Sequence, residues 1–157
     1  MSKQKSISNH KNLLAYCGLY CGACSFRVAV LEQDKEHLRF IPDRYDKYKD
    51  TDLSKTDLCP GCRTEQSQCG GCGIRDCCRG KNLEHCGCCE SFPCKLIMEF
   101  SRDGMPHHHE VLENIKRLKL GSDKWLQEEQ MKWTCSCGAR RSWYIKKCPK
   151  CGADSLI

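Results

Sequence analysis

The sequence predicts a small, irregular, α-rich domain of short helices and metal-binding loops, followed by a C-terminal β zinc ribbon. Three observations lead to this fold class. Cysteine supplies 17 of the 157 residues, a density at which cross-linking of the chain is expected. Without these cysteines, little Leu, Ile, Val and Phe remains, and chains with small cores recruit disulfides or metals. Most of the cysteines also stand in close pairs.

The spacing of the pairs favours metal ions over disulfides. Two intervening residues form the natural chelate loop, in which one turn directs both sulfurs at one ion. Five pairs have this spacing: Cys21/Cys24, Cys59/Cys62, Cys69/Cys72, Cys86/Cys89 and Cys148/Cys151. The cysteine count is odd, and the N-terminal stretch is polar and basic without the apolar run of a signal peptide. The odd count argues against a complete set of disulfides, and the polar N-terminal stretch indicates the reducing cytoplasm. No segment is apolar enough for a membrane span.

Composition divides the chain into four predicted parts. A polar tail over residues 1–14 precedes a cysteine-rich metal-binding domain over 15–106. A helical connector packed on that domain follows over 107–132, and the zinc ribbon occupies 133–157. We therefore expect one irregular metal-held body and one small C-terminal module.

In the metal-binding domain, an imperfect apolar stripe predicts a helix from Ser25 to Phe40, ended by Pro42. Residues 59–94 hold ten cysteines with glycines between them, so we expect loops and single turns wrapped around ions. A short helix should open at Pro93 and Cys94.

In the connector, apolar residues recur at helical spacing from Val111 to Leu118, and Gly121 is well placed to end this helix. Ser122 or Asp123 can cap a second helix that runs to about Met131. In the ribbon, a short hairpin is expected over 139–147, between the two cysteine pairs.

The cysteine motifs resemble a known family. They read CGLYCGAC from Cys17, CPGC from Cys59, CGGCGIRDC from Cys69 and CGCCESFPC from Cys86. They are similar to the cysteine-rich, zinc-binding family catalogued as domain of unknown function 3795, which is common in bacteria and archaea. The tail of many family members also resembles two stretches of this chain, KWLQEEQMKWTC and CPKCG. The resemblance implies a prokaryotic metal-binding fold without an established reaction. Cys78 and Cys88 depart from the family pattern, so we leave both out of the expected ligands.

The expected ligands are fifteen cysteines. The ribbon contributes a self-contained set of four that suits a closed structural zinc site. The central eight are enough for two sites, grouped either in sequence order or with the Cys59/Cys62 pair meeting the Cys86/Cys89 pair. The predicted metal ligands are Cys17, Cys21, Cys24, Cys59, Cys62, Cys69, Cys72, Cys77, Cys86, Cys89, Cys94, Cys135, Cys137, Cys148 and Cys151. Together they predict three to four Zn²⁺ ions per chain.

The first three of these ligands, Cys17, Cys21 and Cys24, leave an alternative open. Their spacing matches the three-cysteine loop that holds an iron–sulfur cluster in radical S-adenosylmethionine enzymes. Such a motif needs its structural context, and no alternating strand–helix pattern follows Cys24. The interpretations are a zinc site completed by Cys78, Cys88 or a histidine, or a non-catalytic iron–sulfur cluster, since thiolate ligands alone do not separate iron from zinc.

The histidines add little to the prediction. His107, His108 and His109 stand at the start of a predicted helix, where a solvated cap is a better interpretation than a metal-binding tract. His85 adjoins Cys86 and could replace a thiolate. Acidic residues show no paired arrangement for acid–base catalysis, so we predict no catalytic residues.

The formal charge of +6 suggests nucleic acid, but metal binding would remove the basic excess. A zinc ion with four thiolates carries a net charge of about −2, because ligating thiols are deprotonated. A residual basic and aromatic group could still stack single-stranded bases: Arg140, Arg141, Trp143, Tyr144, Lys146 and Lys147. The simpler interpretation is that the aromatics pack the ribbon.

The sequence therefore predicts a multi-zinc protein, more consistent with a non-enzymatic binding or adaptor module than with an enzyme. Its expected partner is another protein. An iron–sulfur or redox and metal-handling protein is the first alternative, and a nucleic-acid-binding protein that uses the ribbon is the second.

Overall fold

A computed structural model of the chain describes residues 10–65, 67 and 69–155. In these residues the backbone forms short helices joined by turns around clusters of cysteine. Extended pairing among them is limited to three isolated antiparallel bridges, Leu14 with Tyr20, Thr134 with Arg140, and Lys147 with Asp154. The predicted helix-rich, cysteine-clustered fold is confirmed, whereas the C-terminal β ribbon is not confirmed.

The helices are all short. The α-helices of the described residues are α1 (Ser25–Glu32), α2 (Gly73–Gly80), α3 (Lys95–Ser101), α4 (Val111–Leu118) and α5 (Ser122–Lys132). The 3₁₀ helices there are Cys21–Ala23, Lys35–Leu38, Asp43–Tyr48, Leu53–Lys55, Cys86–Cys88 and Pro106–Glu110. None of the helices in this part of the chain is both long and apolar enough to cross a membrane.

The chain forms two compact units. The first consists of Met1–Cys21 and Pro60–Gln127, and the second of Gly22–Cys59 and Glu128–Ile157. Each unit therefore combines segments that are distant in sequence. The four predicted parts remain a prediction from composition.

The core of the first unit is built on α4 and the start of α5. Ile115 is fully buried, and the Tyr20 ring meets the Trp125 ring edge-on at 6.0 Å. The Asn114 side chain donates to the Gly18 carbonyl at 3.0 Å within this core. Gly18 has a φ of +90°, and a Cβ there would lie 2.8 Å from the Ile115 side chain. Glycine at this position therefore allows the CGLYC segment to lie directly against α4.

The second unit has two small apolar clusters. One is formed by Ala29, Val30, Leu38, Ile41 and Leu53, with four aromatic rings packed against it. The other is formed by Cys135, Cys148 and two alanines. Because cysteines supply part of the buried surface, this cluster depends on the state of the thiols.

The predicted helix from Ser25 to Phe40 is too long. The structure ends α1 at Glu32, where Gln33 adopts a left-handed conformation with φ of 53°. The Asp34 side chain then accepts from the Glu36 N–H and starts a 3₁₀ turn. Leu38 still reaches the same core cluster from this turn, which explains why the apolar stripe continued past the end of the helix.

Residues 73–80 were expected to be loop, and this expectation is wrong. They form α2, whose buried residues are Ile74 and Cys78. These two positions are four residues apart and lie on one helix face. The pattern was missed because Cys78 acts as the apolar residue of that face.

The connector helices are confirmed. The structure places α4 and α5 where the periodicity predicted them, with Gly121 between them at a φ of +148°. The N–H of Gly121 donates to the Leu118 carbonyl, and the N–H of Trp125 to the Gly121 carbonyl. The glycine therefore joins the two helices in a tight turn.

Two leucines next to this turn, one buried and one exposed, provide a test of the core of the first unit and its control. Leu118 is 2% exposed and Leu120 is 86% exposed. We expect Leu118→Ala to lower the free energy of unfolding by about 2–5 kcal/mol, because truncation leaves a cavity. Leu120→Ala should change it by less than about 0.5 kcal/mol. Urea unfolding at a fixed free zinc concentration measures both; equal losses would contradict this core.

Candidate metal centre

The four C-terminal cysteines converge in the second unit. The sulfurs of Cys135, Cys137, Cys148 and Cys151 all lie within 4.8 Å of one another. The Cys135 and Cys151 Sγ atoms are 3.6 Å apart, as are those of Cys137 and Cys148. A tetrahedral ion with Zn–S bonds of ~2.3 Å separates its sulfurs by about 3.8 Å. The spacing therefore fits four ligands around one ion.

Each pair of this site is held by a tight turn. In the first turn, the Gly138 N–H donates to the Cys135 carbonyl at 2.8 Å. In the second, the Gly152 N–H donates to the Cys148 carbonyl at 2.9 Å. Both glycines have positive φ, +91° and +75°, which favours glycine. Because only one residue separates Cys135 from Cys137, the first turn is one residue shorter than the second.

The pKa values of the thiols in this cluster favour the binding of a cation. A hydrogen bond from the Cys137 backbone lowers the pKa of Cys135 to about 6. The Ala153 backbone lowers the pKa of Cys151, but hydrogen bonds with Cys135 and Cys148 outweigh it and raise that pKa to about 11. One thiolate therefore opposes ionisation of its neighbours. A divalent ion at the centre would remove this opposition and hold all four as thiolates.

Removing one C-terminal ligand should remove one ion. We expect Cys148→Ser to lower the zinc content of the purified chain by about one ion, because a closed four-ligand site loses its geometry. Cys88→Ser is the matched control, since Cys88 is exposed and outside the expected ligand set. Elemental analysis of both variants measures the content. An unchanged content in Cys148→Ser would contradict the site.

In the first unit, Cys62 lies beside Cys21. A hydrogen bond between them lowers the pKa of Cys62 to about 6. Burial raises the pKa of Cys17, and the nearby sulfurs of Cys62 and Cys72 act in the same direction. Cys62 therefore interacts with both Cys21 and Cys17, and Cys72 acts on Cys17. Their association matches neither grouping that the spacing had suggested, because chain folding brings the CPGC segment to the N-terminal motif.

An arginine and a glycine hold the CPGC segment in place. The Arg63 guanidinium donates to the carbonyls of Leu14 and Glu84 and lies 4.3 Å from the centre of the Tyr16 ring. Gly61 has a φ of +107°, and a Cβ there would lie 2.2 Å from the Asn12 carbonyl oxygen. Only glycine allows this close approach.

In the second unit, Cys24 and Cys59 influence each other. Burial raises the pKa of Cys24, and the Cys59 sulfur acts in the same direction. Cys24 immediately precedes α1, just as Cys72 precedes α2 and Cys94 precedes α3. A helix N-terminus favours negative charge, so these three positions suit thiolates. The sequence offered this signal at Cys24 and Cys94, where predicted helices begin, but not at Cys72, because the residues of α2 were expected to be loop.

A further group of five cysteines surrounds a small cavity in the first unit. The cavity has a volume of about 40 Å³, and its lining includes Cys77, Cys78, Cys86, Cys89 and Cys94. The Lys81 ammonium donates to the Cys89 sulfur at 3.7 Å. The sulfurs of Cys89, Cys77 and Cys94 raise the pKa of Lys81. A cation therefore stands beside the thiols at this cavity.

Glu84, His85 and Cys88 form another compact trio, with possible ligand atoms within 4.8 Å of one another. The Gly87 N–H donates to Nδ1 of His85 at 3.0 Å. The hydrogen of the neutral ring is therefore assigned to Nε2, which lies 3.7 Å from the Cys88 sulfur. A nitrogen that carries a hydrogen cannot bind a metal, so His85 is oriented to donate to Cys88.

The histidine tract is only in part the solvated cap that was expected, since His109 is exposed but His108 is not. His108 is buried, with its Nδ1 2.8 Å from an Asp103 carboxylate oxygen and its ring stacked on Phe100 at 3.8 Å. Burial also lowers the pKa of His107 to about 3. His108 therefore packs within the segment between α3 and α4 and contacts Phe100 and Asp103.

The residues considered for nucleic-acid stacking are engaged within the second unit. Arg140 pairs with Glu32 at 2.6 Å and Lys147 with Asp154 at 3.8 Å. Tyr144 packs against the apolar cluster of Leu38 and its neighbours. These contacts agree with the simpler interpretation, in which the aromatic residues pack the module.

The seventeen cysteines are all described and are all thiols. This is a cysteine-rich protein in which a group of four cysteine sulfurs could hold a metal ion. The family model "Protein of unknown function (DUF3795)" matches residues 13–99, and the chain belongs to this family. The C-terminal four cysteines lie outside the matched residues. Searches of the curated proteins and of the solved structures gave no match.

Proposed function

We propose that this chain is a zinc-stabilised, non-enzymatic module that binds another protein. The observation that carries the proposal is the convergence of Cys135, Cys137, Cys148 and Cys151 at the spacing of a tetrahedral ion. With all four positions taken by cysteine, such a site is closed, as structural zinc sites are, whereas a catalytic zinc keeps one position open.

The sulfur spacing supports a single ion over an iron–sulfur cluster at this site. Each cysteine of a four-iron cluster binds a different iron, so the sulfurs stand well apart. The ligands of one tetrahedral ion are direct neighbours, and the Sγ–Sγ separations of 3.6 Å match that arrangement. Antiparallel bridges flank both turns, at Thr134 with Arg140 and at Lys147 with Asp154. They support the assignment of a zinc ribbon.

Zinc would supply folding free energy that the small apolar clusters lack. Structural zinc in small peptides contributes roughly 10–16 kcal/mol of apparent binding free energy at neutral pH. A typical domain has a net stability of only about 5–15 kcal/mol. Loss of the ions would therefore be enough to unfold the chain.

A protein partner suits the surface better than a small substrate does. Two cavities among the described residues have volumes of about 40 and 100 Å³, whereas small-molecule sites usually exceed roughly 300 Å³. Large apolar side chains are instead exposed in each unit, Leu120 at 86% and Met131 at 77%. A rigid, metal-held surface with such side chains is suited to protein contact.

Metal content and chelation test this proposal together. Anaerobically purified protein should contain three to four zinc ions per chain by elemental analysis. Complete removal by a strong chelator should abolish the helical circular dichroism signal, and adding zinc should restore it. Unchanged circular dichroism after metal removal would contradict the structural role. Several irons per chain with visible colour would favour the redox and metal-handling alternative.

Binding to single-stranded nucleic acid provides a separate test of whether the partner is a protein. Because Arg140 and Lys147 are paired within the chain, we expect no salt-dependent binding of a fluorescent oligonucleotide by the zinc-loaded protein. Affinity that falls steeply with added salt would indicate phosphate contacts and favour the nucleic-acid alternative. Anisotropy titrations at low and physiological salt distinguish the two results.

A further inference from the structure

We propose that Cys78 is a metal ligand in the first unit, where it joins Cys86, Cys89 and Cys94 around one zinc ion. The inference rests on the proposed zinc-binding function and extends it to a residue outside the family pattern. It also selects Cys78 over its neighbour Cys77, which the spacing had favoured.

The sulfur separation carries the proposal. The Sγ atoms of Cys78 and Cys86 are 3.7 Å apart. A disulfide would need about 2.05 Å, whereas the edge of a tetrahedral zinc site measures about 3.8 Å from Zn–S bonds of ~2.3 Å. The Sγ–Sγ separations in the C-terminal site, 3.6 Å, are almost the same. Cys78 and Cys86 therefore stand as two ligands of one ion would.

The helix fixes the direction of Cys78. It lies on the buried face of α2 with Ile74, at 2% exposure, whereas Cys77 is exposed. The Leu83 N–H donates to the Cys78 carbonyl at 2.8 Å and anchors the end of this helix. Adjacent helical residues point about 100° apart, so the two sulfurs point in different directions, although both residues line the cavity. The 3.7 Å separation from the Cys86 sulfur therefore selects Cys78 as the ligand.

Cys89 and Cys94 are the candidates for the other two ligands. Cys89 and Cys94 line the same cavity as Cys78 and Cys86, and its volume of about 40 Å³ suits an ion better than an organic ligand. Four thiolates with Zn²⁺ would leave a net charge of about −2. The Lys81 ammonium, which donates to the Cys89 sulfur at 3.7 Å, would offset part of this charge.

Cadmium NMR on the full-length protein tests the assignment directly. Zinc is replaced by an NMR-active cadmium isotope, and proton–cadmium couplings identify the cysteines bound to each ion. We expect the β-protons of Cys78 and Cys86 to couple to the same cadmium. Coupling of Cys77 and Cys86 to one cadmium, with Cys78 uncoupled, would overturn the proposal.

The same spectrum separates this inference from the proposed function. Couplings at Cys135, Cys137, Cys148 and Cys151 without any at Cys78 would refute the inference and leave the C-terminal site intact. An absence of cadmium coupling at every cysteine would refute both.

Zinc counting in variants gives a second measurement. We expect Cys78→Ser to lose about one zinc ion per chain, while Cys77→Ser and Cys88→Ser retain the wild-type content. All three replace a thiol by a hydroxyl, and Cys77 lies next to Cys78 in α2, so the two control variants test the general effect of the substitution. Loss of an ion in Cys77→Ser with full content in Cys78→Ser would overturn the proposal. The cadmium spectrum of the unmodified chain remains decisive if a variant fails to fold.

Discussion

Close approach of sulfur atoms is the constraint on which this structure depends. Three pairs of Sγ atoms lie 3.6 to 3.7 Å apart in the two units. At such separations one thiolate opposes ionisation of the next, so the same cluster contains Cys135 with a lowered pKa and Cys151 with a raised one. A divalent cation at the centre would attract each thiolate and so outweigh the repulsion between them.

The rest of the fold serves to hold these sulfurs. Tight turns that end in Gly138 and Gly152 form the C-terminal site, and helix N-termini follow Cys24, Cys72 and Cys94. The apolar clusters between them are small. In both units cysteines belong to the buried surface, so packing and metal binding are expected to act as one cooperative system.

Much of the candidate site could be predicted from local spacing. The C-terminal four cysteines were predicted as a closed set, and the structure brings their sulfurs together. A chelate loop is a local property, so sequence reveals it. The association of Cys62 with Cys21 and Cys17 could not be predicted, because it joins segments about forty residues apart. Because all cysteine side chains are chemically identical, the sequence does not show which distant cysteines become neighbours in the fold.

The same distinction applies to the helices. The periodic connector helices were predicted correctly, whereas α2 was missed because Cys78 was treated only as a thiol and not as the apolar partner of Ile74. His108 was misjudged for the same reason, since its burial depends on Phe100 and Asp103. By itself, the sequence determined the helix-rich class, the cysteine pairs and the family, because these follow from local composition and spacing. Only the tertiary structure decided which thiols are neighbours and which are buried, because these depend on contacts between distant segments of the chain.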